Sequence, residues 1–392
     1  MLPAGLVVLR NLYLLIFISV MCHTVATGNR VAATLFAIEL GASTMMVGLI
    51  SGLYGMLPML LAVSAGRLSD RIGARMPMIC GSALMSLGVG IPYFAPQIPA
   101  LLVATTLTGC GFMLYNIALQ NVAGSFGRPE DRALNFNLLS LGFSVSGLLG
   151  PLLVGIIIDN LGHRYAFLLM AILPLIPLTV LGLSVLELPR PAPNAHAGAR
   201  KRVLDLLGDR RLVWLFLLTS LLSAGWEVFT FLIPVYGTSI GLSATAIGVV
   251  MAAFSFALLL IRVILPAMIK RIDSWLMITA TLMYGGVLFC LFPLMHSALG
   301  LTVLSFFLGL GLGCPQPLVI SLIHKYAPSG RVGEAIGLRQ ALMYSTQSFM
   351  PVLMGALAAV TGMAAVFWLF ALVLAGGGFA GRRLRDQPSA GR

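Results

Sequence analysis

Apolar residues in this chain run in unbroken blocks separated by short polar turns. A scan for stretches with few or no charges gives twelve, at about 11–40, 44–65, 76–94, 98–121, 134–158, 164–186, 212–238, 243–269, 275–294, 298–323, 332–361 and 363–383. Each is long enough to cross a hydrocarbon layer of ~30 Å as a helix. Because the blocks are continuous and do not alternate every second residue, they predict helices and exclude barrel strands. The expected fold is therefore all-α and integral to a membrane, with twelve transmembrane helices.

Composition supports that expectation and removes the soluble alternative. Hydrophobic residues make up 59% of the 392 positions and charged residues 9%, with a mean hydropathy of +1.01. An ordinary soluble domain is about one-quarter charged. The run through Cys22 lacks the basic flank of a signal peptide and stays apolar past any cleavage site, so it reads as the first span. Cys22, Cys80, Cys110, Cys290 and Cys314 all fall within spans without metal or disulfide spacing. They read as packing residues, and no metal or cofactor is expected.

A formal net charge of +12 raises the question of a nucleic-acid partner. Its distribution answers it. Twenty of the 24 Lys and Arg fall in the two tails and in the even-numbered turns, including Arg10, Arg67, Arg71, Arg75, Arg128 and Arg132. Arg30, Arg262 and Arg339 lie inside predicted spans, and Arg164 sits beside an odd-numbered turn. This asymmetry places both termini in the cytoplasm and makes the charge a determinant of insertion into a bacterial inner or plasma membrane, with lipid and no nucleic acid as partner.

Laying the chain on itself with a shift of 200 pairs Gly41 with Gly241, Ser43 with Ser243, Gly48 with Gly248 and Arg71 with Arg271. The register continues through Pro151 with Pro351, Gly155 with Gly355, Gly162 with Gly362 and Phe167 with Phe367. Glycine and proline at matching places reflect shared backbone geometry, so the chain is a duplication. It divides into pseudo-symmetric six-helix bundles, 1–188 and 212–392, joined by a linker, 189–211. That linker carries Pro189, Pro191 and Pro193 and then a basic run. Its part from Lys201 to Leu212 reads either as a short amphipathic helix on the anionic leaflet or as a solvated tether.

The turn between the second and third spans reads Gly66-Arg67-Leu68-Ser69-Asp70-Arg71-Ile72-Gly73-Ala74-Arg75. With twelve spans and the six-plus-six repeat, it resembles the signature G-x-x-x-D-R-x-G-x-R of the major facilitator superfamily over essentially the whole length, with Met76 where the family has a further basic residue. The resemblance implies secondary transport by alternating access and makes Gly66, Asp70, Arg71, Gly73 and Arg75 gate residues on the cytoplasmic side. In the second copy Lys270 replaces the acid. The fifth span, with Gly142, Gly147, Gly150, Pro151 and Gly155, looks like the G-P-x-x-G-G signature of the drug/proton antiporter branch, although Val154 replaces one glycine and Ser146 another. Small residues and a proline also explain themselves as a site of close helix approach. In the fourth span Thr105 stands where proton-coupled relatives carry an Arg before Gly109 and Gly111.

A charge at the bilayer centre costs roughly 2.5–3.5 kcal/mol on insertion scales, so each one present should face a partner or a water-filled cavity. Glu227, beside Trp226 in the middle of the seventh span, is the deepest acid in the chain. A carboxyl there is a proton-coupling candidate or one member of a structural ion pair. Its expected partner is Arg30 in the first span, one helical turn beyond the position equivalent to Glu227. Asn116 and Gln120 share a face of the fourth span, and Gln316 stands between Pro315 and Pro317 in the tenth. These amides are candidate substrate contacts or helix–helix hydrogen bonds. Arg262 and Arg339 are expected to reach towards headgroups, with Arg339, Gln340 and Gln347 forming a gate or packing site. His23 and His296 show no ligand spacing.

These residues predict a secondary carrier for a small organic molecule, working as a monomer. There is no phosphate-binding G-x-x-x-x-G-K-[ST] loop and no nucleophile–base pair, so neither ATP hydrolysis nor an enzyme is expected. Proton-linked export of a moderately apolar molecule is the leading direction. Uptake or exchange of an organic anion held by Arg30 is the alternative.

Overall fold

The computed structural model describes residues 4–123, 126, 131–188, 203–269, 273–328 and 332–385, and every regular element among them is helical. The first half consists of α1 (Ala4–Glu39), α2 (Thr44–Ile72), α3 (Arg75–Phe94), α4 (Ile98–Ala123), α5 (Arg132–Leu161), α6 (His163–Ile172) and α7 (Leu175–Gly182). The second half consists of α8 (Arg210–Ser239), α9 (Ala244–Ile269), α10 (Ser274–Leu291), α11 (Ala298–Gly313), α12 (Pro315–Tyr326), α13 (Val332–Thr361) and α14 (Met363–Arg385). Two expected spans are broken. Proline cannot supply a backbone N–H to the helix ladder, and the sixth span turns at Leu173–Pro174 while the tenth breaks at Cys314 before Pro315.

Eleven spans among the described residues meet length and hydropathy requirements for crossing a membrane, with α6–α7 and α11–α12 each counted as one. The twelfth crossing is α13, whose 30 residues span roughly 45 Å. Its lower hydropathy has a local cause, the run Arg339, Gln340, Tyr344, Ser345, Thr346, Gln347 and Ser348. Twelve crossings return the chain to the side on which it began. That side is the terminal face and the opposite one the far face.

The duplication is visible in the turns. Gly41 and Gly241 take φ of 75° and 79°, and Gly162 and Gly362 take 93° and 82°, a left-handed conformation open to glycine without a Cβ clash. Ser43 and Ser243 then cap the following helices, accepting from the N–H of Met46 at 3.3 Å and of Ala246 at 3.2 Å. In the linker, residues 189–202 lie outside the described set. Val203–Gly208 forms a 3-10 turn in which Leu206 is fully buried, and Asp209 caps α8 through the N–H of Arg211 at 2.8 Å. The described part of the linker is a turn that packs Leu206 inward and continues into α8.

The halves meet along two long seams, α2 against α13 and α5 against α9, with α1 against α8 between them. The repeated glycines and prolines form the seams. A Cβ on Gly48 would stand 2.4 Å from the Pro351 carbonyl oxygen, and a Cβ on Gly248 2.6 Å from that of Pro151. Each half therefore presses its glycine onto the other half's proline. Residues 31–37 of α1 and 231–237 of α8 are all buried, whereas Tyr13 and Phe17 of α1 and Leu217 of α8, nearer the terminal face, are about half exposed. Near the far face α1 and α8 are therefore fully enclosed, while nearer the terminal face both carry exposed side chains.

Candidate functional site

Arg30 and Glu227 meet between the halves. The Arg30 Nη2 donates to Glu227 Oε2 at 2.5 Å, with side chains 18% and 11% exposed. Charges this far inside a membrane protein are tolerated because each neutralises the other. Tyr54 of α2 completes the setting: the guanidinium lies 5.8 Å from its ring centroid, its hydroxyl accepts from the Asn29 amide, and it also meets the Thr108 hydroxyl. Arg30 is thereby held between an acid of one half and an aromatic face of the other. Trp226 stands next to the acid but turns into an aromatic group, edge-on to Phe254 at 5.0 Å, with Phe254 stacked on Phe229 at 4.3 Å.

A second polar layer lies about two helical turns towards the terminal face. The Tyr344 hydroxyl of α13 lies close to Asn116 of α4 and to Gln340, bringing the halves together again. The Oδ1 atoms of Asn116 in this layer and of Asn29 beside the ion pair are buried without a hydrogen-bond partner, as are Ser348 Oγ and Arg339 Nε. Such an atom costs about 1–3 kcal/mol if nothing satisfies it, so these groups are open to a further polar partner. Gln120 and Gln316 are exposed and are not joined to the ion pair.

Two expectations for arginines change. Arg262 does not reach towards headgroups; it turns inward across the α5/α9 seam and donates to the Ser140 carbonyl and the Ser144 hydroxyl, both at 2.6 Å. Arg339 is also turned inward, only 6% exposed. Nearby, His23 is stacked on Phe143 at 4.3 Å and meets the edge of Phe112 at 5.6 Å.

The glycines of the fifth span divide between two faces. A Cβ on Gly147 would come 2.8 Å from Ser255 Oγ of α9, and one on Gly155 2.4 Å from the Ala244 carbonyl oxygen, so both serve the seam. Gly150 faces α1, where a Cβ would sit 2.3 Å from Thr27 Oγ1. Ser146, at a position where the signature has glycine, donates to the Val20 carbonyl of α1 at 3.1 Å. Pro151 supplies the carbonyl against which Gly248 packs.

At the turn between α2 and α3, Gly73 has φ 81° and lets one helix pass directly into the next. A Cβ added to Gly66 would meet nothing within 4 Å, so the close helix approach expected there is not made in this state. Arg71 is exposed. Arg75 donates to the Ser184 hydroxyl and, at 2.7 Å, to the Leu186 carbonyl, tying the turn to its own half. The side chain of Asp70 and residues Lys270 and Arg271 of the second copy lie outside the described residues.

Helices that cross a membrane, arranged as interlocked halves around a central ion pair, define a carrier architecture. A family model described as the Major Facilitator Superfamily matches residues 12–342 and 215–392. The chain belongs to that superfamily and is a secondary transporter, not an enzyme. It is similar to a multi-drug resistance efflux pump PmrA homolog of Lactococcus lactis, 27% identical over 77% of this chain and 76% of the relative. It also resembles the multidrug resistance protein MdtH of Aeromonas hydrophila, 26% identical over 77% and 76%. Among solved structures, a POT family transporter in complex with a thioalcohol-conjugated peptide matches with a TM-score of 0.81 at 16% identity, covering 96% of each chain.

Tyr54, Asn29, Tyr344 and Asp159 do not stand out as site residues in the sequence. Tyr54 does carry a signal, since the shift of 200 pairs it with Phe254 and both receive a glycine, Gly109 and Gly309, against their backbone carbonyls. Asp159 carries the weaker signal of an acid at a span end.

Proposed function

We propose that this chain is a proton-coupled exporter of moderately apolar small molecules. The observation that carries the reading is the Arg30–Glu227 pair, one member from each half, held between helices that are fully enclosed towards the far face. A proton on Glu227 removes the charge that holds Arg30 and frees the halves to move. Loss of that proton restores the pair. Cargo and proton thus act on one contact between the halves, which is what exchange by alternating access requires. The multidrug efflux pumps among its relatives support export.

The same reading takes residues 1–188 and 212–392 as the rocking units and 189–211 as their tether. Placement of Lys and Arg in the tails and even-numbered turns supports cytoplasmic termini, which makes the terminal face the side of cargo entry. Asn116, Gln120, Trp226 and Gln316 are assigned to the path of the cargo, and Gly66, Asp70, Arg71, Gly73, Arg75 and Arg339 to closure of the cytoplasmic side in the opposite state. The transporting unit is a single chain. Anion uptake at Arg30 is the weaker reading, because the guanidinium is already neutralised by Glu227.

In proteoliposomes, Glu227→Gln should abolish ethidium transport driven by a pH gradient and spare ethidium exchange at equal pH. Unchanged pH-driven transport by this variant would remove the coupling role.

A further inference from the structure

The two seams are mirror images in glycine and proline, yet among the described residues only one of them carries a charged contact at its far-face end. The first N–H groups of a helix have no partner within it and form the positive end of its dipole. In α9 those of Ala244 and Thr245 are taken by a residue of the other half, Asp159 near the end of α5. They donate to its Oδ1 at 3.0 Å and its Oδ2 at 2.8 Å, and the carboxylate also meets the hydroxyls of Ser243 and Thr245. Gly155, one turn earlier in α5, brings the two backbones close enough for the contact.

Of the surrounding charges, His163 lies within electrostatic reach of Asp159 but makes its ion pair elsewhere. From α6, His163 pairs with Glu39 of α1 at 2.6 Å, and Arg164 donates to the Tyr93 carbonyl at 2.7 Å. On the other seam the shift of 200 places Ala359 at the position of Asp159. There Gly355 abuts the Thr44 carbonyl by shape alone, its Cβ position 2.5 Å from that oxygen.

We propose that Asp159 is the far-face gate residue of this transporter, a latch between the halves that holds the α5/α9 seam shut in the present state and must release before the central site opens on that side. The latch makes opening asymmetric. At this end the α2/α13 seam separates by loss of packing, whereas the α5/α9 seam must also give the two N–H bonds of Asp159 to water.

The test uses the full chain with its native cysteines replaced. Spin labels go at Phe94 and Leu299, exposed at the far-face ends of α3 and α11, and separately at Met76 and Lys325 on the terminal face. Distances are measured by pulsed electron resonance in lipid without cargo or pH gradient, so the result is independent of Glu227 chemistry. Asp159→Asn should lengthen the far-face distribution and shorten the terminal-face one, raising the open-to-closed ratio at the far face about tenfold, equivalent to ~1.4 kcal/mol. Asp159→Glu, which keeps the charge, should overlay the parent. Coincidence of Asp159→Asn with the parent overturns the proposal. So does broadening of both distributions in the Asn and Glu variants alike, which would mean that residue 159 only maintains the fold.

Discussion

Arg30 and Glu227 each depend on the other for neutrality, so removing one should be worse than removing both. Arg30→Ala leaves a carboxylate enclosed without its counter-charge and should lower stability by roughly 3 kcal/mol, near the lower end for broken buried pairs. Arg30→Gln combined with Glu227→Gln should recover part of that loss. Thermal unfolding in detergent checks both, and an additive double variant would show that the pair is not energetically coupled. Tyr54→Phe keeps a ring under the guanidinium but strips the Asn29 amide of its acceptor, for an expected loss of about 1–3 kcal/mol. The ion pair itself is legible in the sequence, because a charge in an apolar span stands out and the repeat brings the two positions into correspondence. Tyr54 is not. An aromatic residue in an apolar span looks the same whether it faces lipid, core or a cation.

Block length marks the helices, and the glycines and prolines that recur after 200 residues mark the seams. What length cannot convey is rotation. The outer parts of α1 and α8 are enclosed on every side, so no polar face distinguishes their contacts. Arg262 is hidden for a related reason: its place near a span end points to headgroups, whereas the helix turns it towards Ser140 and Ser144. Two glycine substitutions separate seam from gate. Gly248→Ala forces a Cβ against the Pro151 carbonyl and should destabilise the protein by roughly 1–3 kcal/mol. Gly66→Ala meets open space in this state and should add up to about 1 kcal/mol of helix stability. If the gate turn packs tightly in the opposite state, Gly66→Ala will also slow ethidium transport while its melting temperature stays level or rises. Equal melting temperatures for the two variants would mean that the Gly248 contact does not hold the seam.

At the scale of the molecule, duplication supplies two matching seams, and the departures from symmetry supply direction and control. Asp159 and Arg262 have alanines at their counterparts, Ala359 and Ala62, so charged contacts pin the α5/α9 seam while the α2/α13 seam is held by close packing. Between the seams, one ion pair links the halves where cargo and proton would compete. That competition is measured most directly by titrating purified protein with ethidium in buffers of differing ionisation enthalpy, comparing the wild type with Glu227→Gln. Competition predicts that the wild-type binding enthalpy varies with the buffer, reporting proton release, and that the variant's does not. An equal buffer dependence in both proteins would contradict it.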